Sequence, residues 1–391
     1  MERIGIFGGS FDPPHIGHIQ SVKQAAQVLK LDRVLLIPAG MPPHKTGCFV
    51  SGEQRLNMVR LAVAGEPAIQ VSDLEIARGG TSYTYETVET VRGLYPNAEI
   101  FLLMGSDMFL SFHSWKHPEK ILANATLGVF YRGDKGERPN VEAQKAEMEA
   151  EGHRIELIQN DLVEISSTQL RRMLAFRCAD AFLPEGVGDY IRQNRLYHTA
   201  ADWKNLPMEQ LESIVISLLK PNRVNHVLGC RDTAVALAKR WGVSETDAAR
   251  AGILHDITKA LDGPLQLDLC RAYGKQLSDF SKRYPKTLHA LTGSMVAERI
   301  FGENEAVVSA IESHTTGKAA MNTLEKIIYV ADYMEPCRNF PGVERLRELA
   351  FSDLDEALKT GLMMTLDHLA NLGDEVSPES RQALEYLNVK V

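Results

Sequence analysis

The 391-residue sequence has little of what several large protein classes require. Cysteine is scarce: five residues (Cys48, Cys178, Cys230, Cys270, Cys337), odd in number and nowhere spaced as CxxC. That excludes a disulfide framework and a thiolate zinc ribbon, and fits a reducing, cytoplasmic setting. No apolar run approaches the roughly 18 residues of a membrane span, and the opening MERIGIFGG lacks the long apolar stretch of a secretory signal. Positive charge is not in excess either. With 43 Lys and Arg against 51 Asp and Glu the net charge is −8, which argues against general nucleic-acid binding while leaving room for a local basic phosphate pocket. Low-complexity tracts and internal repeats are absent. At 44% apolar and 24% charged residues the chain is a folded globular one, long enough for two domains of about 200 residues each.

The first half alternates short β-rich runs (Arg3–Phe7, Arg33–Ile37, Ile69–Val71, Ile100–Met104, Leu127–Phe130) with helical patterns (Ile19–Leu29, Glu53–Ala64, Ser82–Leu94). Such alternation predicts an α/β domain, a parallel sheet with helices on both faces. Helices over Ser167–Ala175 and around Val187–Asn194 close this half. From Met208 onward only helical periods occur: Gln210–Leu219, Val224–Trp241, Asp247–His255, Thr287–Phe301, Ala306–His314, Leu324–Tyr333 and Asp353–Leu369. Between them HTAADWKNLP is polar and ends in proline. The expected organisation is an α/β domain over 1–197, a linker over 198–207 and an all-α domain over 208–391.

Strand Arg3–Phe7 runs into GGSFDPPHIGH and then a helix. Glycines after a first parallel strand let phosphates approach backbone N–H groups, and a helix N-terminus adds a favourable dipole. His15 and His18, three apart, share one face of that terminus. Further pieces follow: Lys45 in PAGMPPHK, where a solvated loop lysine is the plain alternative; Asp107 in GSD at a strand end; Trp115, a stacking platform or a core residue; and ISSTQLR at 165–171, whose Ser166 alone would be an ordinary helix cap. Together these resemble the nicotinate-nucleotide adenylyltransferase family within the HxGH nucleotidyltransferases, over essentially all of 1–197 down to LPEGVGDYIRQNRLY. The resemblance implies a Rossmann-like domain that joins ATP, with Mg²⁺, to nicotinate mononucleotide and releases pyrophosphate without a covalent intermediate. The catalytic task is then to neutralise charge growing on phosphate oxygens. The family pattern puts His15, His18 and Lys45 in catalysis. It puts Gly8, Gly9, Ser10, Phe11, Ser166, Ser167, Thr168 and Arg171 on ATP, and Thr84, Asp107 and Trp115 on the nicotinate. Ser10 stands where the family commonly has threonine, so a hydroxyl is kept. Pantetheine-phosphate adenylyltransferases and cytidylyltransferases share HxGH, but the PPHK, GSD…W and ISST pieces favour the nicotinate enzymes.

The second half carries an ordered series: His226, His255-Asp256, His289, His314 and Asp332, all on helical segments. This mixed nitrogen and oxygen set suits Fe, Mn, Co or Mg better than a thiolate zinc site. With RVNH, LHDITK, SHTTG and ADYMEPCR around it, the series resembles the HD-domain phosphohydrolases, and among them the YqeK-like family that cleaves diadenosine tetraphosphate symmetrically into two ADP. That resemblance implies His226, His255, Asp256 and Asp332 as ligands of a metal, iron above others. It leaves His289 and His314 to a second metal or to phosphate, and Arg223, Thr315 and Arg338 to nucleotide phosphates. Lys259 stands open between stabilising developing charge and being a solvated helix-end lysine. Such a metal polarises a phosphoryl oxygen and makes water acidic enough to attack near neutral pH. Two other readings of this half stay open: a nucleotide-sensing or oligomerisation module, and a hydrolase of a different nucleotide. The expected partners are these small nucleotides, without nucleic acid or membrane; a homo-oligomer is compatible with all of it.

Overall fold

The computed structural model describes residues 1–41, 49–131, 136–159 and 165–389. It divides into two compact units, Met1–Ala200 and Ala201–Val391. No helix among the described residues is long and apolar enough to cross a membrane.

The first unit is built on six parallel strands, β1 (Arg3–Gly9), β2 (Arg33–Pro38), β3 (Ile69–Val71), β4 (Glu99–Gly105), β5 (Thr126–Tyr131) and β6 (Ile155–Gln159), in the order β3-β2-β1-β4-β5-β6. The strands bury both faces, so alternate residues feed different cores. Ile4, Ile6, Leu35, Ile37, Leu102 and Leu127 join one apolar cluster. Val34, Leu36, Phe101, Leu103 and Phe130 join the other, under Ile19, Val22 and Ala25 of α1 (Ile16–Val28). Gly5 is needed where β1 and β4 pack: a Cβ there would lie 2.8 Å from Leu31 and 3.3 Å from Leu103.

Two further helices frame the strand ends, α2 (Gly52–Ala62) and α3 (Thr84–Leu94). The latter starts two residues later than its apolar period suggests, because Ser82 Oγ is already committed to accepting the Gly40 N–H, at 3.1 Å. Helix α4 (Ser167–Ala175) matches its expected span. Strand β6 and the helix Arg138–Ala150 were not anticipated. Each is a surface element with two fully buried apolar anchors, Ile155 and Ile158 or Val141 and Met148, too few to register as a period.

Every regular element among the described residues of the second unit is a helix. Its central helices are α5 (Val224–Trp241), α6 (Glu245–Leu254), α7 (Leu288–Val296), α8 (Glu305–Ser313) and α9 (Thr323–Met334). The expected continuous helix Thr287–Phe301 instead changes to a π-helical turn over Ala297–Phe301, stopped by left-handed Gly302. Within 198–207, Trp203 stacks on Phe301 at 5.6 Å, the Asn205 N–H donates to Phe301 O, and Arg250 donates to Leu206 O while pairing with Glu303. That part of the connecting segment is therefore fastened to the second unit.

Candidate functional sites

In the first unit the chain builds outward from β1 to β2 and β3, then returns to lay β4 on the other side of β1. Connections leaving β1 and β4 therefore diverge, and the crevice at their carboxyl ends is where open α/β sheets take ligands. Gly8, Gly9 and Ser10 end β1; Gly105, Ser106 and Asp107 end β4. A Cβ on Gly8 would meet nothing within 4 Å, so the backbone there is open. Phe11, buried and left-handed (φ 46°), folds its ring against Gly9.

His15 caps α1, and its N–H donates to His18 Nδ1 at 3.2 Å. Acceptance at Nδ1 leaves the proton of neutral His18 on Nε2, so that nitrogen is a donor. The two rings stack 3.5 Å apart. Burial holds His15 down at about 4, and its Nδ1 is buried without a partner.

The start of α4 is fastened to this same loop from more than 150 residues away. Ser167 Oγ donates to Pro13 O at 3.0 Å, and Arg171 donates to Asp12 O at 2.6 Å and to Thr168 Oγ1 at 3.0 Å. Ser166 and Gln169 cap the helix reciprocally, each side chain accepting the other's N–H. The GGSFDPPHIGH and ISSTQLR pieces thus form one surface. Three residues that sequence reasoning did not single out complete it. Buried Arg55 donates to Ser10 O and Gly40 O at 2.8 and 3.0 Å. Buried Asp12 accepts from Tyr197 Oη at 2.6 Å and from the Phe49 N–H at 2.8 Å. Asp12 lies inside GGSFDPPHIGH and Tyr197 ends LPEGVGDYIRQNRLY, whereas Arg55 lies in neither quoted piece.

Thr84 begins α3, Asp107 lies in the short helix Ser106–Leu110, and half-buried Trp115 leans on Phe112 at 5.4 Å. Their flanking segments meet: Lys116 lies 3.9 Å over the Tyr83 ring, and Tyr85 packs edge-on against His117 at 4.9 Å. The structure joins these segments rather than the three side chains themselves. Lys45 lies outside the described residues.

In the second unit five helices and their ends bring the whole His/Asp series together. His226 lies in the first turn of α5, His255 and Asp256 follow α6, His289 opens α7, His314 follows α8, and Asp332 belongs to α9. Three Nδ1 atoms face backbone carbonyls: His255 to Gly252 (2.8 Å), His289 to Lys286 (2.9 Å) and His314 to Ile311 (2.6 Å). His226 Nδ1 faces Glu335 Oε1 at 3.0 Å. Each Nδ1–H is thereby spent, and each Nε2 lone pair is turned inward, as metal ligation requires. Asp256 lies among them. Its Oδ2 is 3.8 and 3.6 Å from the Nε2 of His226 and His255; its Oδ1 is 3.5 and 3.8 Å from those of His289 and His314. Asp332 Oδ1 is 3.1 Å from His226 Nε2. Two ligand-competent groups result, His226–His255–Asp332 and His255–Asp256–His314, each with donor atoms within 4.8 Å of one another.

Burial pushes His314 down to about 4 and His255 and His289 well below the usual range, so all three are neutral at pH 7. Burial alone would raise Asp332, but the His226 ring in contact with it, with His255, His314 and Arg338 nearby, holds it well below the ordinary carboxylate range. Arg223 pairs with Asp256, Arg338 with Asp332 at 2.7 Å, and Thr315 reaches His289 and His314. Lys259 is exposed overall, yet its Nζ lies 2.8 Å from His289 Nε2, and desolvation there lowers it to about 8. Glu335 lies inside the ADYMEPCR piece, but sequence reasoning gave it no role, because the histidine it serves is 109 residues away.

A cytidylyltransferase-like family model matches residues 6–173, and an HD-domain model matches residues 223–337. A "probable nicotinate-nucleotide adenylyltransferase" of Desulfatibacillum aliphaticivorans is 38% identical across 50% of this chain and 99% of its own length. A protein of the same name from Exiguobacterium sibiricum is 36% identical across 50% of this chain and all of its own. A crystal structure from Clostridium acetobutylicum, described as a "predicted HD superfamily hydrolase involved in NAD metabolism", is 36% identical, covers 48% of this chain and 99% of its own, and superposes with a TM-score of 0.47.

Proposed function

Because the chain belongs through its first half to the nicotinate-nucleotide adenylyltransferase family, and carries an HD domain over residues 223–337, we propose that it is an enzyme of two activities. The first half makes nicotinate adenine dinucleotide and pyrophosphate from nicotinate mononucleotide and ATP, which enters with its Mg²⁺. The second hydrolyses diadenosine tetraphosphate with one water into two ADP.

For the first activity the carrying observation is the attachment of the α4 start to the loop before α1. Four side chains, Arg55, Arg171, Ser167 and Ser82, hold backbone carbonyls or N–H groups of the strand-end loops. That leaves Gly8, Gly9 and the start of α1 to face an anion, where N–H groups and the helix dipole favour it. His18 Nε2–H donates to the phosphate undergoing attack, and His15 stacks behind it. Ser166, Thr168 and Arg171 take the distal phosphates, and Asp107, Thr84 and Trp115 the nicotinate side. Because these donors are already oriented, they stabilise charge in the transition state without reorganising.

For the second activity the carrying observation is Asp256, whose two oxygens each lie near a pair of inward-facing imidazoles. Neutral histidines and ionised carboxylates with their outer hydrogen bonds made are the form that binds Fe, Mn or Co. His226, His255 and Asp332 would hold one such ion, and His255, Asp256 and His314 form a second group that would hold another, with His289 beside it. When bound, these ions supply Lewis-acid polarisation of a phosphoryl oxygen and an acidified water. Arg223 and Arg338 offer guanidinium forks to phosphate oxygens, Thr315 donates a hydroxyl hydrogen bond, and Lys259 neutralises charge on the departing ADP.

The test is ion-pair chromatography of purified protein with diadenosine tetraphosphate, with chelator or with added Fe²⁺, Mn²⁺ or Co²⁺. Metal-dependent ADP as the sole product supports the reading. ATP plus AMP replaces the symmetric cut with an asymmetric one, and no turnover with any metal makes the HD half a binding module.

A further inference from the structure

We propose that Tyr197, at the far end of the first unit, is a positioning residue for the ATP phosphates, acting through Asp12; the proposal rests on the transferase reading above. Asp12 lies two residues after Ser10 and three before His15, so its backbone belongs to the phosphate loop. Its carboxylate is nearly fully buried and accepts two donors, Tyr197 Oη at 2.6 Å and the Phe49 N–H at 2.8 Å. An ionised carboxylate this close to a triphosphate would repel it and compete for the same donors. With both donors in place the carboxylate is satisfied and turned toward the protein, and the loop keeps its N–H groups for the nucleotide.

The chain accepts strain to put the tyrosine there. Arg195, Tyr197 and His198 all have left-handed φ (55°, 53° and 64°), a conformation non-glycine residues adopt only when surroundings enforce it. Yet this is the last turn of the unit, where chains ordinarily fray. The Tyr197 ring is buried, and its hydroxyl bond to Asp12 spans 185 residues of sequence. Burial and the Asp12 charge push the phenol well above its ordinary range, so it remains a donor at every working pH. The other ties on this loop, from Arg55 to Ser10 O, Arg171 to Asp12 O and Ser167 to Pro13 O, all engage carbonyls. Tyr197, by contrast, donates to the acid itself.

The experiment measures initial rates of pyrophosphate release by the full chain, varying ATP and nicotinate mononucleotide separately. Tyr197→Phe keeps the buried ring and removes the hydroxyl. It should raise KM for ATP roughly tenfold, the scale of one hydrogen bond to a charged group, while KM for nicotinate mononucleotide and kcat move less than about threefold on the same scale. Adding Asp12→Asn removes the uncompensated charge and should return KM for ATP most of the way to the parent value, which a purely structural role of the tyrosine would not produce. Thermal unfolding of each variant separates lost fold from lost positioning. Unchanged kinetics in Tyr197→Phe, equal rises in both KM values, or no recovery in the double variant would overturn the proposal. An unaltered chain that releases no pyrophosphate would overturn it together with the transferase reading.

Discussion

In the first half, the groups facing the crevice come from loops at strand ends and are largely backbone; in the second, they are side chains from five helices packed as tightly as core. Gly8 leaves open backbone at the carboxyl end of the interior strand β1, in a loop held in shape by remote side chains on the Ser10 and Asp12 carbonyls. His255, His289 and His314 are themselves buried, and their shape is held by the turns that carry them. A backbone site tolerates change in its own side chains but depends on distant ties. A side-chain site fails at its centre first. The two sites also lie in separate compact units, so each should fail without the other.

The largest effects break the comparison directly. Asp256→Ala removes the carboxylate shared by both pairs of imidazoles and should abolish metal-dependent ADP formation and lower bound metal, leaving pyrophosphate release intact. His18→Ala should do the converse, cutting pyrophosphate release about 10²–10³-fold, the usual cost of one oriented donor to a developing oxyanion. Assaying both reactions on each variant is the check. A folded variant that lost both activities would end the two-site division.

Acidity should separate the halves next. A histidine kept neutral by burial stabilises the fold fully above its unfolded value near 6.5, and that contribution is lost as pH falls toward its folded value. His15 and His314 both lie at about 4, and burial also holds His255 and His289 well below the usual range. Each costs about 1.4 kcal/mol per pH unit below 6.5. Among the described residues the first unit contains one such residue and the second three, so between pH 6.5 and 5 the metal-stripped second unit should lose stability about three times as steeply. Thermal unfolding followed by hydrogen exchange in each unit reads this, and equal slopes would mean the buried histidines do not govern either half.

What was legible in the sequence follows the same division. Contiguous pieces such as GGSFDPPHIGH and ISSTQLR announce themselves, because phosphate binding concentrates glycine, hydroxyl and basic residues at a strand-to-helix junction. The His/Asp series was legible because its residue types are costly to bury without a task. Arg55, Tyr197 and Glu335 were not, because an arginine on a carbonyl or a tyrosine on a carboxylate has no local pattern; its partner lies 45, 185 or 109 residues away. Helix Gly263–Ala272 and strand β6 escaped for a related reason: their identity comes from the surface they cover, not from their own period.

The smallest effect tests whether the second site also depends on a tie beyond its ligands. Glu335 is fully buried, accepts from His226 Nδ1 at 3.0 Å with Oε1, and accepts the Cys337 N–H at 2.6 Å with Oε2. Gly229 makes room for it, since a Cβ there would stand 2.6 Å from Oε2. If the carboxylate fixes which nitrogen of His226 carries the proton, Glu335→Ala should weaken metal binding about 10–100-fold, the usual cost of removing such an outer partner. Gly229→Ala, which pushes the carboxylate aside without removing it, should cost less. Glu335→Gln should cost least: its amide oxygen still accepts from His226, although its NH₂ then faces the Cys337 N–H, donor against donor. Titrating apo-protein with Mn²⁺ or Co²⁺ against a competing chelator gives the three affinities. That order would mean the helical site, like the loop site, is held from outside. Unchanged affinity in Glu335→Ala would mean packing alone holds the ring, and the contrast between the two halves would be complete.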